Sequence, residues 1–150
     1  MASPTPTSSP LEVAYTHTSL TLDESAIHKL VAFVCTGEQF TLDTLSIVLA
    51  DHQTVRELNV SYLQHDYNTD VLSFPFNDPV ASKAVDGEVY VDLDTAQERC
   101  AEFGVTFEEE AYRYIIHGLL HLMGYLDDTA AGKAAMKSRE DHYLKMLLGS

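Results

Sequence analysis

The chain has 150 residues, 45% of them apolar, enough for one domain that buries its own core. Nine Lys+Arg stand against 23 Asp+Glu, a formal net charge of −14. Lys and Arg are scattered singly, so the sequence shows no basic patch of the kind that binds phosphates, and no apolar run approaches the ~20 residues of a bilayer span.

Residues 1–10, MASPTPTSSP, lack the basic and apolar regions of a secretory signal and read as a disordered tail, with residues 11–150 as the single domain. Leu11–Thr16 alternates and predicts a short strand. Asp23 or Ser25 caps a helix through Ile27, Leu30, Val31 and Val34, ending near Gly37. Leu45–Ala50 predicts a buried strand, and Asp51 caps the helix through Val55, Leu58, Val60 and Tyr62. This β-α-β-α opening predicts a right-handed crossover and a partly parallel sheet. A polar loop, 64–70, precedes a strand over Val71–Phe74, where Pro75 suits a strand end or an edge. After Gly87, Glu88–Leu93 alternates as a fourth strand; Asp94 caps a helix through Phe103, ended by Gly104. Thr106 and Glu109 form a capping box for a helix from Phe107 to Met123, and a last amphipathic helix spans Ala130–Leu148. The expected fold is α+β: a small mixed four-stranded sheet with about five helices and the Phe107–Met123 helix central. Cys35 and Cys100 fall in these helices without metal-ligand spacing, which fits reduced thiols in a cytoplasmic protein.

The chemistry concentrates in His117-Gly-Leu-Leu-His121-Leu-Met-Gly124-Tyr-Leu-Asp127. Two histidines four apart lie one turn apart on one helix face. Gly124 can end the helix in a left-handed conformation, so the chain can turn back and bring Asp127 to both imidazoles. Two imidazoles and a carboxylate, with a fourth position for water, make the ligand set of a catalytic zinc site. Asp128 competes with Asp127 for the third place, and nickel or iron accept the same donors. The bland alternative is a pair of core histidines bonded to backbone or carboxylate. Against it stand the fixed spacing, the helix-ending Gly124 and the acid at the right distance. Gly118 costs about 1 kcal/mol relative to Ala in a helix interior, which predicts that something packs against that turn. The spacing parallels the metzincin proteases, but Gly118 stands where they carry a general-base Glu. His142, near Glu140 and Asp141, reads as a solvated surface residue, and His17, His28, His52 and His65 have no partner at ligand spacing, only His65 falling in a loop expected near the site.

HGLLHLMGY, together with NVSYLQHDYNTDVLSFPF (59–76), resembles the YbeY family of bacterial zinc-dependent endoribonucleases. The similarity runs from about residue 45 to 145. The family pattern H-G-x-L-H-L-x-G-Y-D-H has three histidine ligands; His117 and His121 match two, Asp127 stands in place of the third, and Leu126 replaces the preceding Asp. In the family loop, Y-R-x-x-D-x-x-T-D-V-L-S-F, Asp66, Thr69, Asp70, Val71, Leu72, Ser73 and Phe74 match, while Leu63 stands where the family has Arg. The resemblance implies zinc-dependent cleavage of single-stranded RNA in ribosomal RNA maturation and ribosome quality control. Its implied partners are ribosomal RNA and the small subunit. With no Glu at 118, proton handling falls to the metal-activated water or to His65 or Asp70. His65, Arg56 or Arg113 are the candidates to replace the missing cation. Two rival readings are a metalloprotease and a non-catalytic zinc-containing ribosome assembly factor.

Overall fold

The computed structural model describes residues 9–63 and 70–149. Its order is β1 (Leu11–Tyr15), α1 (Glu24–Glu38), β2 (Thr41–Ala50), α2 (His52–Leu63), β3 (Val71–Pro75), α3 (Pro79–Ser82), β4 (Ala84–Asp92), α4 (Leu93–Cys100), α5 (Phe107–Leu122) and α6 (Ala130–Leu148). The four-stranded sheet runs β1-β2-β4-β3. β1 and β2 are parallel, as are β2 and β4, while β3 is antiparallel to β4. The fold is therefore α+β with a mixed sheet, and Pro75 closes an edge strand, where a missing N–H removes no ladder bond.

α5 is the hub: it packs on β3 and β4 and against α1, α4 and α6. Ile115, Ile116, Leu119 and Leu120 are fully buried, so the apolar C-terminal half of α5 lies under the sheet as its composition requires. Capping explains where several helices begin. The Asp23 carboxylate accepts from Ser25 N, Asp51 from Thr54 N, and the Thr106 hydroxyl from Glu109 N.

Several predicted boundaries differ from the structure, and glycine explains one of them, at Gly87. α1 ends near Gly37 as expected, at Glu38, but it is the C-cap Gln39 that takes the left-handed conformation (φ 64°). A Cβ at Gly37 would collide with the Tyr143 ring, so this glycine marks contact with α6 rather than a stop. β4 likewise continues through Gly87, where a Cβ would lie 2.5 Å from the Phe74 carbonyl oxygen of β3. β2 begins at Thr41, four residues before the predicted start. α4 is capped by Asp92, not Asp94, and ends at Cys100 rather than Phe103. The one-turn α3 raises the helix number to six among the described residues. Ser9 and Pro10 are described, and the Pro10 carbonyl accepts from Leu45 N; the rest of the expected tail lies outside the described residues. Cys35 and Cys100 are free thiols. Among the described residues no helix is long and apolar enough to cross a membrane.

Candidate metal centre and cleft

The end of α5 folds as the motif requires. Met123 N bonds to Leu119 O, Gly124 N to His121 O and Tyr125 N to Leu120 O, and Gly124 adopts φ 100°. This turn brings Asp127 back onto the helix. Its Oδ2 lies 3.3 Å from His117 Nε2 and 3.5 Å from His121 Nε2, and the two Nε2 atoms are 3.0 Å apart. An ion held tetrahedrally by bonds of about 2.0–2.1 Å sets its ligand atoms about 3.3–3.4 Å apart. The three atoms therefore match one face of such a tetrahedron. Asp128 is exposed and lies outside the group.

The other ring nitrogens decide the tautomer. His117 Nδ1 lies 2.7 Å from Glu140 Oε2, and His121 Nδ1 lies 3.0 Å from the Tyr125 carbonyl oxygen. Both partners accept, so both Nδ1 atoms donate and both Nε2 atoms are left as lone pairs facing each other. Two lone pairs 3.0 Å apart repel unless a cation lies between them. The donor set, the spacing and the orienting acceptors all fit a divalent metal ion. The turn is tied further: Tyr125 and Tyr143 donate to the two oxygens of Glu38, at 2.6 and 2.5 Å.

Burial alone would lower the His117 pKa. The Glu140 hydrogen bond and charge, with Asp70 and Asp127, outweigh it, so His117 sits above the ordinary imidazole value. Protons and a metal ion thus compete for the same acidic setting. Glu140 itself is 7% exposed and also receives Arg113 Nη1 at 3.0 Å, while Arg113 Nη2 reaches Asp141 at 2.7 Å. In the sequence reading Glu140 has no role at the site. Its contact with His117, 23 residues away, leaves no local periodic signal.

Gly118 answers the packing expectation. A Cβ there would lie 2.6 Å from Val89 Cγ1 and 3.1 Å from both Ser73 Oγ and Val71 Cγ2. Ser73 Oγ also donates to Gly118 O at 2.9 Å, so Ser73 fastens the helix to the edge strand. Position 118 points into the sheet, which leaves no space for a protease-like glutamate.

A cleft of about 520 Å³ opens beside His117 and Asp127, within the ~300–1,000 Å³ of small-ligand sites. Asp70 lines it. Burial raises the Asp70 pKa against the opposing pull of His117 and Arg99. Arg99, Arg113, Lys133 and Lys137 line it too, against the acids Asp70, Glu110, Asp127 and Glu140. Four of the nine cations thus meet at one place, and the lining balances four bases with four acids in a chain of net charge −14. The sequence showed them as single residues because α4, α5 and α6 each contribute one or two. Arg113 is held by Glu140 and Asp141 and is not a free phosphate binder. His65, Asp66 and Thr69 lie outside the described residues, as does the side chain of Leu63. His142 is exposed as expected. His17 and His52 are not isolated: they pair with Asp94 and Asp92, each at 2.7 Å.

The chain matches the family model described as Endoribonuclease YbeY over residues 12–148. A Salinibacter ruber protein named Endoribonuclease YbeY is 49% identical over 145 residues, covering 93% of this chain and 92% of that protein. A Chlorobaculum tepidum protein of the same name is 38% identical over 138 residues, covering 92% and 98%. The solution structure of a Thermotoga maritima protein is similar with a TM-score of 0.64 at 26% identity, covering 93% of this chain and 89% of the other.

Proposed function

Because the chain belongs to the YbeY family of endoribonucleases, we propose that it is a metal-dependent endoribonuclease acting on single-stranded RNA, in the cytoplasm, in ribosomal RNA processing and ribosome quality control. Residues 11–150 are its single hydrolase domain. The observation that carries the reading is the convergence of His117, His121 and Asp127 at ligand spacing, with both Nδ1 atoms already satisfied. Imidazole donors and the near-tetrahedral spacing favour one zinc ion over magnesium, whose preferred ligands are oxygens in octahedral array. When bound, such an ion acidifies a coordinated water toward a pKa of ~7 and withdraws charge from a phosphoryl oxygen.

The chain's own residues do the rest. Glu140 and the Tyr125 carbonyl fix the imidazole planes. Asp70, its pKa raised by burial, is poised to accept and return a proton in the cleft, and His65 is the second candidate for that role. Arg99, Lys133 and Lys137 offer the charge that steers an RNA backbone into an otherwise acidic surface.

The test is cleavage of single-stranded RNA with and without chelator, beside casein and ribosome co-sedimentation. Chelator-sensitive RNA cleavage supports the proposal. Casein cleavage, or ribosome binding without RNA cleavage, overturns it in favour of a protease or an assembly factor. Two variants refine the site. Asp127→Ala is expected to weaken zinc binding, and Asp127→His to restore or tighten it; equal zinc affinity in wild type and Asp127→Ala would remove Asp127 from the ligand set. Leu63→Arg is expected to raise cleavage with zinc content unchanged, since a charged donor to a reacting phosphate commonly contributes ~10²–10³ in rate. A neutral or harmful Leu63→Arg would show that other cations of the cleft already hold the phosphate.

A further inference from the structure

We propose that Phe103, with Arg99 above it, is a stacking platform for one unpaired base of the RNA substrate, seated at the rim of the cleft beside the metal centre. The inference rests on the endoribonuclease reading and adds a subsite to it. Single exposed aromatic residues are common on protein surfaces and ordinarily carry no function. Three observations set this one apart.

The first is its place. Phe103 is 55% exposed, yet it lines the same cleft as His117, Asp70 and Asp127. The second is its partner. The Arg99 guanidinium carbon lies 5.3 Å from the ring centroid, and its Nη1 lies 3.8 Å from Asp70 Oδ2. A flat apolar ring thus sits next to a planar cation, the pair of surfaces on which unpaired bases stack while a neighbouring phosphate finds its charge. The third is rigidity. Phe103 N bonds to Arg99 O, Gly104 N to Ala101 O and Val105 N to Cys100 O, so a closed turn presents the ring, and the turn leads straight into α5 and the metal ligands. Ring and metal site belong to one frame.

The occupant follows from charge and shape. The chain repels polyanions as a whole at −14, but Arg99 lies against this ring and Lys133 and Lys137 line the same cleft, offsetting its acids locally. An apolar ring with a guanidinium against it, in the cleft where these cations gather, suits a ligand with a flat uncharged face and an anionic backbone. In a duplex each base face is covered by its neighbours, so the platform serves only unpaired RNA.

The chain contains no Trp, so Phe103→Trp places a single fluorophore at the platform. With zinc-loaded protein, a single-stranded oligoribonucleotide is expected to quench that fluorescence, and a blunt duplex of equal length is not. Phe103→Ala is expected to bind labelled single-stranded RNA about ten-fold more weakly, with unchanged zinc content, melting temperature and salt slope, because stacking releases no counterions. Phe103→Tyr should restore binding. Arg99→Ala should reduce the slope of log affinity against log salt by about one. Equal affinity of wild type and Phe103→Ala, or quenching by duplex as strong as by single strand, overturns the platform while leaving RNA cleavage by the wild type intact. A wild type that neither binds nor cleaves single-stranded RNA when zinc-loaded overturns the platform together with the endoribonuclease reading.

Discussion

His117→Ala is expected to lose its metal and with it all detectable RNA cleavage, while the fold survives. His117 supplies the central donor: its Nε2 is within 3.3 Å of both other ligand atoms. Loss of a residue that merely orients a ligand typically costs 10–100-fold in metal affinity, so removal of the ligand itself should exceed about 100-fold. The side chain is only partly buried, and its removal leaves Glu140 still paired with Arg113. Metal analysis after dialysis and a melting curve separate the two effects. A His117→Ala protein that keeps a full equivalent of zinc would refute the site. The same residue sets the pH response. Its pKa lies above the ordinary ~6.5, because Glu140, Asp70 and Asp127 outweigh the opposing effect of burial. Protons therefore displace the metal at a higher pH than from an ordinary imidazole. Zinc retention should be full well above the raised value and fall as the pH drops through it. Glu140→Gln keeps an acceptor for Nδ1 but removes the charge, so it should shift that fall toward lower pH.

Gly118→Glu is expected to destroy the fold rather than create a protease. The substitution would copy the metzincin general base into the motif. Its Cβ would meet Val89 Cγ1 at 2.6 Å, and Val89 is fully buried in β4. Overpacking alone costs typically 1–3 kcal/mol, and an unpaired buried carboxylate adds several more. A loss of roughly 4 kcal/mol or more is a large part of the ~5–15 kcal/mol that stabilises a domain. The protein should be insoluble or melt far below wild type, with no activity on casein. Gly118→Ala provides the graded control. It gains about 1 kcal/mol of helix propensity against a 1–3 kcal/mol packing cost, so a small net loss is expected. A Gly118→Glu protein that melts like wild type would show that position 118 faces open space.

The convergence of His117, His121 and Asp127 was legible in the sequence because its determinants are local. The i, i+4 spacing of His117 and His121 sets one helix face, and Gly124 permits the left-handed turn that returns Asp127 within three residues. The same locality made the caps at Asp23, Asp51 and Thr106 readable, since a capping side chain meets a backbone N–H two or three residues on. Family resemblance added the activity class, which spacing alone left open between nuclease and protease.

Tertiary structure decided what depends on how the elements pack. Gly37 and Gly87 look like stops in one dimension; they are close approaches to Tyr143 and to β3, which no local pattern contains. Glu140 carries no signal of a site role until α6 docks on α5 and sets its carboxylate on His117 Nδ1. The cations of the cleft are separated along the chain by up to 38 positions, from Arg99 to Lys137, and meet only because α4, α5 and α6 converge. Sequence periodicity encodes which face of an element is apolar. It does not encode which distant polar residue is brought opposite, because that is set by the packing of whole helices and strands against one another.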